Sequence, residues 1–253
     1  MCLIAFAWRS HPAWELVVAA NRDEFHGRAT EPAAYWADAP SVYAGRDLEA
    51  GGSWCGVDRH GRFAAVTNVR EPATPEPGAC SRGALVADYL RGALSAREYC
   101  TGLWPQRGAY GGFNLLVGDG EDLFCLGNRD DRGVLGIPPG IHALSNGILG
   151  DDWPKTERAQ RGLRAALSGP EVDVDVLLAM LADETPAAAG QLPDTGVGSE
   201  LELALSPVFI RGQSYGTRAS TVILRGADGG LRMVERGYGP GGRISHEIDC
   251  EIT

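Results

Sequence analysis

The sequence predicts an α+β fold with layered sheets. Strand-like segments dominate the first 70 residues, helix-like segments dominate the middle, and strand-like segments return after residue 200. The 253 residues suit one large domain or two small ones, and no composition shift marks a convincing boundary between domains. We therefore expect a single domain over residues 1–253.

The first part of the chain is predicted to be β-rich. Two apolar runs are separated by Ser10, His11 and Pro12, which are typical of a hairpin loop. A second pair of runs flanks the short turn at residues 59–61. The predicted strands of this region are residues 2–8, 14–20, 53–58 and 62–68.

A loop and a helix follow. Residues 72–78 contain three prolines and predict a loop. Ser81 is a good N-cap for a helix that ends near Gly92. The helical spacing of its apolar residues predicts one buried side. This side comprises Leu85, Val86, Tyr89 and Leu90.

Three more helices are predicted, over residues 96–103, 153–167 and 174–182. Pro154 suits the first position of the second of these helices. Residues 186–199 are rich in Pro, Gly and Ala and predict a loop. The remaining predicted strands are residues 113–117, 123–126, 142–144, 208–211, 220–224 and 231–234.

Charge and hydropathy exclude several classes of partner. The formal net charge is −10 and no basic run exceeds two residues, so nucleic acid and anionic membranes are not expected as partners. No stretch reaches the ~18 apolar residues of a membrane span, and the apolar N-terminus has no basic region before it. We expect a cytoplasmic protein with reduced thiols and no integral membrane association.

Common cofactor and metal motifs are absent from the sequence. It has no GxxxxGK[ST] or GxSxG motif, and the glycine-rich run at residues 237–242 contains a proline and opens no helix. The five histidines are scattered without an HxxxH pair, and the six cysteines form no CxxC pair. We therefore expect no metal site and no required cofactor.

Cys2 is the most informative residue. A methionine followed by a small residue is normally removed, which would leave a free α-amine and a thiol on the same residue. The α-amine has an ordinary pKa of ~7.7–8.0 and the thiol one of ~8.5, so one residue can supply both base and nucleophile. The alternative is that Met1 is retained and Cys2 is an ordinary buried strand residue.

A polar cluster, Asn21 to Glu24, follows the second predicted strand. The open end of a β1–β2 hairpin would bring Arg22 and Asp23 close to Cys2. Arginine beside a thiol stabilises the thiolate, and an aspartate can hold the α-ammonium. The alternative is a solvated loop, because four polar residues at a strand end need partners if they are buried.

Met1-Cys2-Leu3-Ile4 followed by Ala20-Asn21-Arg22-Asp23-Glu24 resembles the NRDE-motif family, the homologues of transport and Golgi organisation protein 2. The resemblance covers residues 1 to about 225 in order, with Ser53 and Cys55 in place of the family's usual Thr and Leu. The other segments that agree are Gly45-Arg46-Asp47-Leu48, Gly51-Gly52-Ser53-Trp54-Cys55-Gly56, Thr67-Asn68-Val69-Arg70, Ser81-Arg82-Gly83, Gly112-Phe113-Asn114-Leu115, Leu144-Ser145-Asn146-Gly147 and Tyr215-Gly216-Thr217-Arg218.

The resemblance implies the αββα fold of N-terminal nucleophile (Ntn) hydrolases, with two mainly antiparallel sheets flanked by helices. In the penicillin V acylase and bile-salt hydrolase branch, the nucleophile is a cysteine exposed by loss of methionine, and Cys2 is similar to it. Arg22 and Asp23 resemble the Arg and Asp that this branch carries after its second strand. The local spacing leaves open whether Asp23 or Glu24 is the functional acid.

The resemblance also implies further site residues. Asn68 and Asn146 resemble asparagines that donate to the oxyanion, where each donor stabilises the charge by ~3–4 kcal/mol. Arg218 resembles a late arginine near the nucleophile. The alternatives are that both asparagines cap turns and that Arg218 pairs with a surface acid. The residues expected to bind substrate are Asn21, Glu24, Gly52, Trp54 and Asn114.

Two functions are therefore expected in this order. The first is a cysteine amidohydrolase that acts on a small, linear, non-peptide amide, such as an acylated amine or amino acid. The alternative is a carrier on the same fold without catalysis, with haem or an acyl-coenzyme A or lipid as its hydrophobic ligand. An interaction module is a third class, but no exposed amphipathic or proline-rich segment supports it. The oligomeric state is left open.

Overall fold

Two antiparallel sheets form the centre of the protein. The computed structural model describes residues 2–72 and 80–253, so Met1 and most of the predicted proline-rich loop lie outside the described residues. The first sheet has the strand order β10-β1-β2-β11-β12-β13, and the second has the order β3-β4-β5-β6-β7-β8-β9. The strands are β1 (Cys2–Trp8), β2 (Trp14–Phe25), β3 (Thr30–Trp36), β4 (Ala39–Asp47), β5 (Cys55–Asp58), β6 (Phe63–Asn68), β7 (Phe113–Gly118), β8 (Leu123–Gly127), β9 (Val134–Gly136), β10 (Gly140–Leu144), β11 (Tyr215–Gly226), β12 (Leu231–Tyr238) and β13 (Ile244–Ile252).

Helices cover the outer face of each sheet. Apolar residues of α1 and α2 pack on the second sheet, and those of α3 and α4 pack on the first. A third apolar cluster lies between the two sheets. The layers therefore follow the order αββα, which confirms the predicted fold class. The helices are α1 (Arg82–Arg91), α2 (Ala96–Leu103), α3 (Pro154–Ala166), α4 (Val174–Leu181) and α5 (Ser199–Ala204).

The β1–β2 hairpin is buried on both faces. Ile4 and Phe6 pack between the sheets, whereas Leu3 and Ala5 pack against the helices. A strand with two buried faces needs apolar residues at every position, which explains the continuous apolar run of the sequence. The antiparallel register places Cys2 opposite Arg22, in keeping with the expectation that the open end of the hairpin brings Arg22 close to Cys2.

The second strand is longer than predicted. β2 continues through Phe25, so Asn21, Arg22 and Asp23 lie inside the strand and not after it. The solvated-loop alternative is wrong for these three residues, which are almost completely buried. The backbones of Asn21 and Arg22 pair with β1 on one side, and those of all three residues pair with β11 on the other. Pairing on both sides satisfies the backbone and leaves only the polar side chains to find partners.

The remaining differences concern elements that the sequence analysis missed or assigned wrongly. Strands β3, β4, β9 and β13 and helix α5 were not predicted. The predicted strand at residues 208–211 is wrong, because this segment is bonded outside any strand ladder. Its Val208 carbonyl accepts from the Asn21 side chain at 2.8 Å, and the Phe209 amide donates to the Asp183 carbonyl at 2.9 Å. No helix among the described residues is long and apolar enough to cross a membrane.

Gly52 allows the turn after β4 to touch the start of α1. A β-carbon at residue 52 would overlap the backbone carbonyl of Gly83. The Ser53 amide donates to the same carbonyl at 3.1 Å, which fixes the approach. The glycine is therefore required by the close packing of two backbone segments.

Gly52→Ala is expected to reduce the free energy of unfolding by ~1–3 kcal/mol, because the overlapped atoms are backbone and cannot rotate away. Urea denaturation measures the change. Gly190→Ala is the matched control, since nothing lies within 4 Å of a β-carbon built there, and it should change stability by less than ~0.5 kcal/mol. Equal stability of the two variants would contradict the packing argument.

Candidate active site

The candidate site is a cavity of about 710 Å³ at the open end of the β1–β2 hairpin. Cys2 begins β1 and Arg22 lies opposite it on β2. The cavity lies between the ends of strands from both sheets and the start of α1. The predicted site residues that line it are Cys2, Arg22, Asp23, Glu24, Trp54 and Asn68.

The Arg22 guanidinium is held by a stacking contact and a hydrogen bond. Its guanidinium carbon lies 4.3 Å from the centre of the Trp54 ring, and one nitrogen donates to the Thr30 hydroxyl at 3.4 Å. The Trp54 ring in turn occupies space that a β-carbon at Gly45 would fill. Stacking and one hydrogen bond leave further guanidinium donors for the cavity, since arginine carries five N–H groups.

Asp23 is a buried carboxyl group. It is 1% exposed, and its Oδ1 accepts from the Thr217 hydroxyl at 2.7 Å. The Tyr215 hydroxyl donates to the Asp23 carbonyl at 3.1 Å. Burial raises the pKa of Asp23, while the positive charge of Lys155 acts in the opposite direction. Asp23 is thus fixed in place by β11.

The Cys2 thiol is also affected most by burial. Burial raises its pKa, and the nearby Asp23 carboxylate adds to this effect. Arg22 lowers the pKa, in the direction the sequence analysis expected, but burial outweighs it. Because its pKa is raised, the thiol needs a nearby base to remove its proton before it can act as a nucleophile.

The Ser145–Gly147 turn ties the two sheets together beside Cys2. Asn146 is fully buried, and its Nδ2 donates to the Asn68 carbonyl at 2.8 Å. Asn114 donates to the Thr67 hydroxyl at 3.1 Å and to the Gly147 carbonyl at 2.7 Å. Both amides are therefore used inside the protein, and neither residue lines the cavity.

Three more predicted site residues lie outside the cavity lining. Asn21 faces the helix layer, where its Nδ2 donates to the carbonyls of Leu181 and Val208. Gly52 packs against α1. Arg218 occupies a bulge in β11 and donates to the carbonyls of Phe25 and Arg28 at 3.0 and 2.6 Å. Arg218 thus holds the turn that follows β2.

Arg82 lines the cavity but was given no role by the sequence analysis. It is the first residue of α1, and its guanidinium donates to the Gly112 carbonyl at 3.2 Å. Burial lowers its pKa, and negative charge on Cys2, Glu24 or Glu71 acts in the opposite direction. The segment Ser81-Arg82-Gly83 agrees with the family pattern, but the sequence did not indicate that the Arg82 side chain lines the cavity.

The acids of the cavity already have partners. Asp47 accepts from Arg28 at 2.8 Å and Glu71 accepts from Arg129 at 2.9 Å. Within the described part of the chain, neither Arg22 nor Arg82 has a carboxylate oxygen within 4.0 Å. Among the described residues, these two guanidinium groups therefore line the cavity without a direct ion pair, although the protein as a whole is acidic.

Lys155 is a second residue that the sequence analysis missed. It lies at the start of α3, is 2% exposed, and donates to Asn146 Oδ1 at 3.2 Å. The sequence did contain a signal for it, because Lys155 is the only lysine of the chain.

In residues 2–72 and 80–253 there is no group of three His, Cys, Asp or Glu side chains that could hold a metal ion.

The family model described as Transport and Golgi organisation 2 matches residues 1–240. The chain belongs to this family. It is 34% identical to the transport and Golgi organization protein 2 homolog of Bos taurus and 33% identical to that of Homo sapiens. Each comparison spans 93% of this chain and 92% of the relative. The family predicted from the NRDE segment is therefore confirmed.

A solved structure is similar in fold. The Caenorhabditis elegans N-acylethanolamine-hydrolyzing acid amidase ortholog aligns with a TM-score of 0.50 and 12% identity. The alignment covers 88% of this chain and 92% of that one. Together with the αββα layers, this similarity confirms the Ntn-hydrolase-like fold that the sequence predicted.

Glu202→Gln is expected to destabilise the rim of the cavity. Glu202 on α5 forms an ion pair with Arg70, and both side chains are 3% exposed. Burial alone raises the pKa of Glu202, but hydrogen bonds from Thr195 and the Arg70 charge bring it below the ordinary value. Removing one charge of a buried pair should lower the free energy of unfolding by ~3–5 kcal/mol, measured by urea denaturation.

The exposed pair Arg211–Glu184 supplies the control. Glu184→Gln should cost ~1 kcal/mol or less. Because the pKa of Glu202 is lowered in the folded state, the stability that it contributes is present above its ordinary pKa and is lost as the pH falls through the lowered value. An unchanged acid-unfolding curve in Glu202→Gln would contradict this assignment.

Proposed function

We propose that this protein is an N-terminal cysteine amidohydrolase that cleaves a small, linear, non-peptide amide. The observation that carries the proposal is the position of Cys2, which faces a large cavity with Arg22 opposite and Asp23 beside it. The Ntn-hydrolase-like fold supports this reading, because such folds place a nucleophile at the start of a strand. Removal of Met1 is part of the proposal.

The first step is attack by the thiol. Without Met1, the α-amine of Cys2 takes the thiol proton, and the sulfur forms a bond to the carbonyl carbon of the amide. The amine has an ordinary pKa of ~7.7–8.0, which suits a base near neutral pH. Arg22 stabilises the developing thiolate, and the buried Asp23 orients the ammonium that forms.

The second step is collapse of the tetrahedral intermediate. Asn68 lies at the end of β6 on the cavity wall and is the proposed donor to the oxyanion. The carbon–nitrogen bond breaks, and the leaving amine takes the proton from the α-ammonium. Asn146 donates a hydrogen bond to the Asn68 carbonyl, so its proposed role is to position Asn68 and not to contact the oxyanion.

The third step returns the free enzyme. Water gives one proton to the α-amine and adds through its oxygen to the thioester carbon. The carbon–sulfur bond then breaks, the thiolate regains the proton, and a carboxylic acid leaves. The net reaction converts one amide and one water into one acid and one amine.

The charge of the cavity favours a substrate with a carboxylate. Arg22 stacks on Trp54 near the thiol, which leaves Arg82 as the cation best suited to the part of the substrate away from the scissile bond. An N-acyl amino acid carries such a carboxylate, whereas an N-acyl amine does not. Of the two substrate types expected from the sequence, we therefore favour the acylated amino acid.

Cys2→Ala is expected to abolish turnover of any chromogenic acyl anilide that the wild-type protein hydrolyses, because the nucleophile is gone. Loss of Met1 and rapid alkylation of Cys2 by iodoacetamide, both read by intact mass, should accompany activity. Cys250→Ala on β13 is the matched control and should keep full activity. Turnover that persists in Cys2→Ala would refute the mechanism.

Retained Met1 with no turnover would favour the alternative of a ligand carrier. Cys2 and Cys80 are the cysteines that line the cavity, and thiolates are known haem ligands. A haem titration followed by absorbance distinguishes a haem carrier from a carrier of acyl-coenzyme A or lipid. An unchanged spectrum would leave only the acyl-coenzyme A or lipid version.

Arg82→Gln is expected to weaken binding of N-acylglycines by about tenfold or more, since a charge-assisted hydrogen bond contributes ~1.5–3 kcal/mol. Calorimetry in the Cys2→Ala background measures this without turnover. The matching N-acylglycine methyl ester should bind equally to both proteins, and Arg97→Gln on the exposed side of α2 should change neither affinity. Equal loss for acid and ester would contradict a carboxylate contact.

A further inference from the structure

The candidate cavity has an apolar wall where α5 and the residues beside it line it. This α5 wall consists of Val197, Leu201 and Leu205. The spacing of four residues places Leu201 and Leu205 on one side of the helix, and Val197 precedes the helix at the same spacing. Leu205 is 4% exposed, whereas Leu201 is 47% exposed. The α5 wall therefore runs from a buried inner end to the open mouth of the cavity.

Hydrogen bonds tie the inner end of the α5 wall to the strand that carries the thiol. The Leu205 carbonyl accepts from Lys155 Nζ at 3.3 Å, and the same ammonium donates to Asn146 Oδ1 at 3.2 Å. The neighbouring Ser145 hydroxyl donates to the Cys2 carbonyl at 2.9 Å. These bonds connect Leu205 with the start of β1, so the buried end of the wall is the end nearer to Cys2.

The acids of α5 add no charge to this wall. The Glu202 carboxylate is buried, pairs with Arg70 and also accepts from the Thr195 amide at 3.0 Å. Glu200 does not line the cavity. The α5 wall thus presents valine and leucine side chains, which suit the aliphatic part of a ligand and not its charged part.

The charged wall comes from the other side of the sandwich. Arg82 lies on α1, which packs on the second sheet, whereas the end of α5 is bonded to Lys155 of α3, which packs on the first sheet. Cys2 shares a face of β1 with Ile4, which packs between the two sheets. The thiol therefore lies between a wall that carries Arg82 and the apolar α5 wall.

We propose that the α5 wall is the acyl subsite of the candidate site and that it takes a straight aliphatic acyl chain. In an N-acyl amino acid, the amide carbonyl carbon joins the acyl chain to the nitrogen of the part that carries the carboxylate. With this carbon at Cys2 and the carboxylate at Arg82, the acyl chain extends to the opposite wall. The description of the chain as an acyl group rests on the proposed function, but the binding of an aliphatic chain beside α5 does not.

Two isomeric ligands test which half of the molecule lies on the α5 wall. N-octanoylglycine and N-acetyl-α-aminooctanoate have the same atoms and the same carboxylate, but the chain is on the acyl side in the first and on the amino-acid side in the second. Each buried methylene can improve affinity by up to about fourfold, so we expect N-octanoylglycine to bind about tenfold more tightly or better. Calorimetry with Cys2→Ala protein measures both, and equal affinity would overturn the proposal.

Leu201→Gln tests the wall itself. This variant should bind N-octanoylglycine about fivefold more weakly or worse, and it should bind N-acetylglycine unchanged, because the acetyl group has no chain to cover. Leu203→Gln is the matched control, since Leu203 lies on the same helix, is 42% exposed and does not line the cavity. It should change neither affinity. An equal loss for both ligands in Leu201→Gln would contradict a chain contact.

The outcomes separate this proposal from the proposed function. If no amide is hydrolysed but N-octanoylglycine is preferred and Leu201→Gln removes the preference, the chain-binding site stands and the hydrolase assignment falls. If amides are hydrolysed but kcat/KM is the same for N-acetylglycine and N-octanoylglycine, the hydrolase assignment stands and the acyl subsite falls. The comparison of the two isomers needs no change in α5, so it decides the question even if Leu201→Gln fails to fold.

Discussion

The site depends on the polar contact between the two sheets at the Ser145–Gly147 turn. Side chains from the second sheet and the turn exchange hydrogen bonds there, with Thr67 donating to the Ser145 carbonyl at 2.7 Å. The Ser145 hydroxyl also donates to the Cys2 carbonyl at 2.9 Å, so the same turn fixes the start of β1. Apolar packing alone would hold the sheets together without setting their relative position to within a hydrogen-bond length.

Charge is distributed unevenly between the surface and the cavity. The protein has a net charge of −10, but the cavity acids are neutralised by neighbours while Arg22 and Arg82 face it without a close carboxylate among the described residues. Behind the cavity wall, the buried Lys155 donates to Asn146 Oδ1 at 3.2 Å and to the Leu205 carbonyl at 3.3 Å. A low-dielectric setting makes each of these charges more influential than an exposed one would be.

The predictions from sequence succeeded where the signal was local. The helix after Ser81, the helix at residues 96–103 and the β1–β2 hairpin were all predicted, because caps, spacing and turn residues are close in sequence. Strands β3, β4 and β13 were missed, and residues 208–211 were wrongly predicted as a strand. Whether such a segment joins a sheet depends on which backbone groups it meets, and short-range patterns do not carry that information.

The sequence by itself determined the family, the fold class and the closeness of Arg22 to Cys2, because the open end of a hairpin brings the outer ends of its two strands together. Only the tertiary structure decided which side chains reach the cavity. It placed Asn68 and Arg82 on the wall, and it used Asn114 and Asn146 to join the sheets. The physical reason is that a polar side chain goes to whichever buried donor or acceptor the packing of the layers brings near it.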